Sequence, residues 1–241
     1  MDVSLRSLFY CLTREVKKMD QTQNDALLDA CTTGRLDLVN ELIANGADVN
    51  CRNGDGRTGL MRASKRGYDE IVETLIEKGV DVKARDKNND TALMGAAKHG
   101  YRHICEMLIK AGSDVDAQDN NGRTALMRAA FLGETPCVEC LVEAGADLDL
   151  ADSKGRTALM DAVLAFKVDV IRYLLEKGAD INKRDIEGCT CLMRASYGGY
   201  TDLVIYLIRK GADKTVTDNA GRTALHYVRT GSDEELLNVL K

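Results

Sequence analysis

The residues of this chain best suited to chemistry are eight cysteines and three histidines, and their spacing first suggests metal. Cys137 and Cys140 are separated as two zinc ligands would be, Cys189 and Cys191 are closer, and His99 and His103 lie four apart. A structural zinc site needs four nitrogen or sulfur ligands, and no second cysteine pair or nearby histidine completes either set. Neither a G-x-S-x-G turn for a nucleophile nor a G-x-x-x-x-G-K-[ST] loop for phosphates occurs. The cysteines have a plainer explanation. Cys105 stands in line with Val39, Val72, Val138, Ile171 and Val204, and Cys137 with Ile71, Ile104, Val170 and Leu203. Cys31 replaces a small core residue, so these thiols read as core fillers held in a reducing compartment. Gly100 puts His99 and His103 on different elements and leaves two exposed polar side chains. No catalytic residue, metal site or cofactor is expected.

Those alignments belong to a repeat. The strings T-G-L-M-R at Thr58, T-A-L-M-G at Thr91, T-A-L-M-R at Thr124, T-A-L-M-D at Thr157, T-C-L-M-R at Thr190 and T-A-L-H-Y at Thr223 are each 33 residues apart. A second line, N-G-A-D-V-N at Asn45 to K-G-A-D-K-T at Lys210, keeps the same step, and its glycines run from Gly46 to Gly211. A fixed period of this size marks an array in which each unit buries its apolar face against its neighbours. The unit reads as a short helix capped by Thr, a glycine-marked turn, a second amphipathic helix, a glycine stop and a turn bearing D-x-x-G. Thr135 followed by Pro136 predicts the same capping logic for one second helix. Ala63, Ala96, Ala129, Ala162 and Ala195 are small where neighbouring helices must approach. Phe166 replaces the turn glycine present at Gly34, Gly67, Gly100, Gly133 and Gly199, which predicts a local irregularity in the fifth unit.

These residues closely resemble the ankyrin repeat, a unit of 33 residues with a turn, two helices and the string T-P-L-H-x-A. The resemblance spans residues 21–241 and implies an all-α solenoid of about seven helix-turn-helix units joined by short β-hairpin turns. The units run approximately 21–52, 53–85, 86–118, 119–151, 152–184, 185–217 and 218–241. Two departures are systematic. The family's proline is replaced by Gly59, Ala92, Ala125, Ala158, Cys191 and Ala224. Its histidine is replaced by Met61, Met94, Met127, Met160 and Met193, with His226 the survivor, so polar cross-links between hairpin and helix are expected to yield to thioether packing. Asn50 and Asn182 each follow a leucine by eight residues and an acid by two, similar to a pattern hydroxylated in other ankyrin repeats. A turn asparagine without modification is the plainer reading.

Ankyrin arrays are similar in binding partners with the hairpin tips and the exposed side of the first helices, which form a concave surface. In this chain the tips carry Arg57, Lys87, Arg123, Lys154, Arg156 and Arg222. The first helices add Arg62, Lys65, Arg66, Lys98, Arg128 and Arg194. Opposing acids are Asp29, Asp55, Asp90, Asp161 and Glu187, and the apolar members are Phe131, Leu132, Leu164, Tyr197 and Tyr227. The expected partner-binding set is therefore Arg57, Arg62, Arg66, Arg123, Arg128, Phe131, Leu132, Arg156, Arg194, Tyr197, Arg222 and Tyr227. An apolar stripe flanked by arginines suits one or more protein partners, in the form of a segment with hydrophobic anchors and acidic flanks. The opposing reading is that arginine before the threonine braces the hairpin and that Phe131 or Leu132 packs on the next unit.

The implied function is a non-catalytic protein–protein interaction scaffold or adaptor. The alternative is a nucleic-acid-binding array using the basic groove, disfavoured by the net charge of −5 and by the lack of a groove-entering motif. No apolar run approaches the roughly 18 to 20 residues that cross a bilayer, so a membrane partner is not expected. Residues 1–20 place Leu5, Leu8, Leu12, Val16 and Met19 at helical spacing without a cleavage site, which predicts a capping helix or tail and an intracellular location, cytoplasmic or nuclear.

Overall fold

Helix starts are set by threonine. The computed structural model describes residues 21–229 and 234–241, and in it Thr58, Thr91, Thr124, Thr157 and Thr190 each accept, through Oγ1, the N–H three residues on, at 3.2–3.4 Å. Each thereby satisfies a donor the helix cannot. The helices so opened are α3 (Gly59–Arg66), α5 (Ala92–Lys98), α7 (Ala125–Leu132), α9 (Ala158–Leu164) and α11 (Cys191–Gly198). Residues 21–33 form α1. The second helices are α2 (Leu36–Ala44), α4 (Asp69–Glu77), α6 (Arg102–Lys110), α8 (Thr135–Glu143), α10 (Val168–Glu176) and α12 (Thr201–Arg209). The expected capping helix over residues 1–20 lies outside the described residues.

Two layers result. The first helices α3, α5, α7, α9 and α11 stack in one row, and α2, α4, α6, α8 and α10 stack behind them. Ala63, Ala96, Ala129, Ala162 and Ala195 are fully buried between the rows, as are Cys105 and Cys137. The five methionines are buried too, at most 7 % exposed, and Met193 Sδ accepts the Thr190 N–H at 3.4 Å. The array contains no strand among the described residues, only one isolated bridge between Arg52 and Thr58. Successive hairpin tips are joined by single backbone bonds, such as Asn120 N–H to Asn88 O at 2.9 Å and Ser153 N–H to Asn121 O at 2.8 Å.

Three local expectations are corrected. Thr135 is the first residue of α8 and Glu134 its cap, without a side-chain cap bond, so Thr135 does not cap and Pro136 sits in the second helical position. The fifth unit stays regular. Phe166 itself adopts the left-handed conformation, φ +54°, and its N–H bonds Val163 O as Gly100 bonds Ala97 O. What it loses in backbone freedom is set against a ring contact with Tyr200, 4.3 Å between centroids. In the first four units the next unit's residue lies over a turn glycine: Tyr101, for one, would meet a Cβ on Gly67 at 2.5 Å. In the seventh unit the first helix shrinks to a single 3₁₀ turn, Ala224–Tyr227, ended by extended backbone at Val228. Helix α13 (Glu234–Leu240) packs against α12.

Asn50 and Asn182 have structural employment. Their Oδ1 atoms accept the N–H of Asp81 at 2.8 Å and of Asp213 at 2.9 Å, tying one unit to the next.

Candidate functional site

The hairpin aspartates decide the electrostatics of the surface. In Asp86, Asp119, Asp152, Asp185 and Asp218, Oδ1 accepts two backbone N–H groups two and four residues on, which builds the turn. Oδ2 remains, turned toward the first helices, and takes an arginine. Asp86 takes Arg57 Nε at 3.3 Å, Asp119 takes Arg128 Nη2 at 2.6 Å, and Asp152 takes Arg156 Nη2 at 2.8 Å. Asp185 takes Arg194, and Asp218 takes Arg222 Nε at 2.8 Å. Two of these pairs, Asp119 with Arg128 and Asp185 with Arg194, join a hairpin to a first helix, so polar cross-links persist there beside the buried methionines where thioether packing was expected to replace them.

The seventh unit substitutes Tyr227 for the helix arginine. Its hydroxyl donates to Asp218 Oδ2 at 2.7 Å and lies 3.1 Å from Arg222 Nη2, so Tyr227 is a half-buried brace. The Tyr227 hydroxyl, with the N–H groups and guanidinium of Arg222, holds the Asp218 carboxyl well below the usual range against the opposing effect of burial. Sign reverses in the fifth unit, where Asp161 is wholly buried. Arg123 Nη2 lies 2.6 Å from it and Arg156 Nη1 3.9 Å. Burial raises the Asp161 carboxyl, and the two arginines oppose that rise.

Of the expected arginines, Arg123, Arg128, Arg156 and Arg194 are thus neutralised by carboxylates while largely buried, and Arg57 and Arg222 are paired while half-exposed. Arg128 is doubly held, by Asp119 and by Asp90 of the preceding unit. Arg62 and Arg66, with Lys65 and Lys98, make no ion pair among the described residues. The signal for this split is in the sequence: Asn53 stands where later units have Asp, and an amide has no second acceptor oxygen to offer.

The structure gathers the surface into two adjoining clefts. One, about 600 Å³, is lined by Lys98, Arg123, Arg128, Phe131, Leu132 and Arg156. Phe131 and Leu132 are each 40 % exposed, held outward on the last turn of α7. The other, about 310 Å³, lies over Gly95 and includes Arg57, Arg62, Lys65, Arg66, Lys98 and Arg128. Gly95 occupies the helix position of Arg62, Arg128 and Arg194, and its missing side chain opens the floor. Further along, Leu164 is 42 % exposed, and Tyr197, at 54 %, lies under the Arg229 guanidinium at 4.1 Å. Ile186, more exposed than either, projects from the sixth hairpin and was missed because it occupies a variable turn position.

Among the described residues one further cluster could suggest chemistry. Asp185, Glu187 and Cys189 lie close enough to suggest a metal, but Asp185 is saturated by two N–H groups and Arg194, and Cys189 Sγ meets Tyr227 Oη at 3.0 Å. Burial raises the Cys31 and Cys191 thiols to about 12, far from the thiolate a nucleophile needs. No described helix is long and apolar enough to cross a membrane.

Comparison with known proteins agrees with this architecture. Two family descriptions match, ankyrin repeats in three copies over residues 27–119 and 93–185, and ankyrin repeats in many copies over residues 176–228. Among solved structures, the human ASB11 ankyrin repeat domain superimposes with a TM-score of 0.79 at 24% identity, over 89% of this chain and 95% of its own. The ankyrin repeat domain of Bcl-3, a unique member of the IkappaB protein family, gives 0.79 at 28% identity, over 89% of this chain and 97% of its own. No curated protein matches.

Proposed function

This chain belongs to the ankyrin-repeat family, a fold of protein–protein interaction that is typically non-catalytic, and from that premise we propose that it is a non-catalytic scaffold or adaptor. It holds a segment of a partner protein along the surface made by the hairpins and the first helices. The observation that carries this reading is the cleft at the fourth unit, where Phe131 and Leu132 stand exposed beside Lys98, Arg123, Arg128 and Arg156. Paired arginines around exposed apolar side chains favour an apolar anchor at the centre. The unpaired cations of units two and three favour an acidic flank toward the amino end. The unit boundaries given above remain the natural division of the array, and the buried free cysteines, seven among the described residues, support a reducing, intracellular compartment, cytoplasmic or nuclear.

Nucleic acid is the competing occupant. Neutralisation of Arg123, Arg128, Arg156, Arg194 and Arg222 by carboxylates weakens it, because phosphate backbones need uncompensated cations along the whole groove. The test is capture of partners by the intact chain and by a Phe131→Ala/Tyr197→Ala variant, followed by dissociation kinetics of the recovered partner. Truncation at such anchors costs about 2 kcal/mol or more, so dissociation should quicken while the melting temperature stays near the parent's. Unchanged dissociation with intact folding would overturn the groove assignment. A steep loss of affinity with salt would favour nucleic acid.

A further inference from the structure

The arginine at the fourth position after the capping threonine has a defined appetite. Arg128 Nη2 collects two carboxylates at one nitrogen, Asp119, nine residues before it, and Asp90, thirty-eight residues before it. Arg62 occupies the same helix position two units earlier, and both corresponding places hold amides, Asn53 and Asn24. Asn53 Oδ1 still builds its hairpin, accepting from Asp55 and Arg57 N–H at 3.0 and 2.8 Å. Asn24 Oδ1 accepts the Asp48 N–H at 2.9 Å. Among the described residues, Arg62 bonds only Thr32 Oγ1, from Nη1 at 2.9 Å, and its buried Nε has no acceptor.

The surroundings add positive charge. Six cations and two carboxylates line the cleft over Gly95, and both carboxylates are engaged, Asp86 by Arg57 and Asp90 by Arg128. His99 senses the excess: after burial, Lys98 and Lys65 are the main causes that hold its imidazole below the usual range. A ligand group that replaces the two missing carboxylates must bring two negative charges to one point. A phosphomonoester does so in one group with three acceptor oxygens. At Arg128 two carboxylates reach one nitrogen from two separate units, an approach from two sides that neighbouring side chains of one segment do not supply.

We propose that the cleft over Gly95 seats a phosphorylated serine or threonine side chain of the partner segment, held by Arg62, Lys65, Arg66 and Lys98. This rests on the groove reading only for the ligand being a protein segment. The apolar anchor of that segment then lies one unit further along, at Phe131 and Leu132, since Lys98 and Arg128 border both clefts.

The test is an NMR titration of the full chain with N-acetyl-phosphoserine methylamide, beside the serine and aspartate equivalents at matched ionic strength. The Gly95 amide and the His99 ring should shift and saturate with the phosphorylated probe, and the aspartate probe should bind about tenfold more weakly or worse. Arg62→Gln and Lys98→Gln should each weaken the phosphorylated probe severalfold with an unchanged melting temperature, since neither breaks an ion pair. Phe131→Ala should leave this binding unchanged, so the seat is read independently of the apolar groove. Equal binding of the aspartate probe, no saturable shift, or indifference to both substitutions would overturn the proposal. So would tighter binding of a mixed-sequence single-stranded oligonucleotide at the same residues.

Discussion

Arg128 Nη2 lies 2.6 Å from Asp119 Oδ2, so a helix side chain is tied to the hairpin that precedes it in the same unit. The Asp119 side chain is almost wholly buried, 6% exposed. Arg128→Ala would strand that carboxylate and should cost about 2 kcal/mol, within the range for hydrogen bonds to charged groups. Arg62→Ala, at the equivalent position without a carboxylate, should stay within about 0.5 kcal/mol of the parent. Urea unfolding of the two variants decides it, and equal losses would refute the distinction.

Phe166 in the left-handed region sets backbone strain against its contact with Tyr200. Phe166→Ala keeps the strain and loses the ring, whereas Phe166→Gly loses both. The alanine variant should therefore be the less stable of the two by about 1 kcal/mol. Thermal melts ranking glycine below alanine would show that the left-handed backbone at this position carries no net strain.

Neighbour contacts carry the stability of a stacked array. Deleting residues 119–151 removes one unit in register and joins Gln118 to Asp152, whose hairpin has the same Asp-built turn. The shortened chain should keep its helical circular dichroism and unfold cooperatively at a lower midpoint. Loss of cooperativity would contradict stacking by equivalent units.

Asp218 and Asp161 predict opposite responses to acid. The Asp218 pKa is depressed on folding, so its contribution is present above the unfolded value, about 3.9, and is lost as pH falls below it. Asp161 is raised, so its ionisation above that value works against the fold, and protonation favours it. Asp218→Asn should thus destabilise at pH 6 and matter less toward pH 2, as followed by urea midpoints across this range. A loss independent of pH would remove the assigned role of the Asp218 charge.

Much of this was legible before any coordinates. The thirty-three-residue period, the capping threonines, the glycine stops and the burial of Cys105, Cys137 and the five methionines all follow from short-range rules, in which a helix start or an apolar face is specified within a few residues. Where local context competed, the reading failed: Thr135 looked like a cap, and Phe166 looked like a defect. Fold class was thus determined by sequence alone. What the tertiary structure decided is which cations are free. Arg62 and Arg128 sit in the same string, L-M-R-A, yet Arg128 is bound by two carboxylates and Arg62 by none. The amides that replace those carboxylates stand in the sequence at Asn53 and Asn24, but that positions nine and thirty-eight residues away are the relevant ones emerges only when hairpins and helices stack. Charge on this surface is a property of pairs across units, and a pair exists only after the chain has brought its two members together.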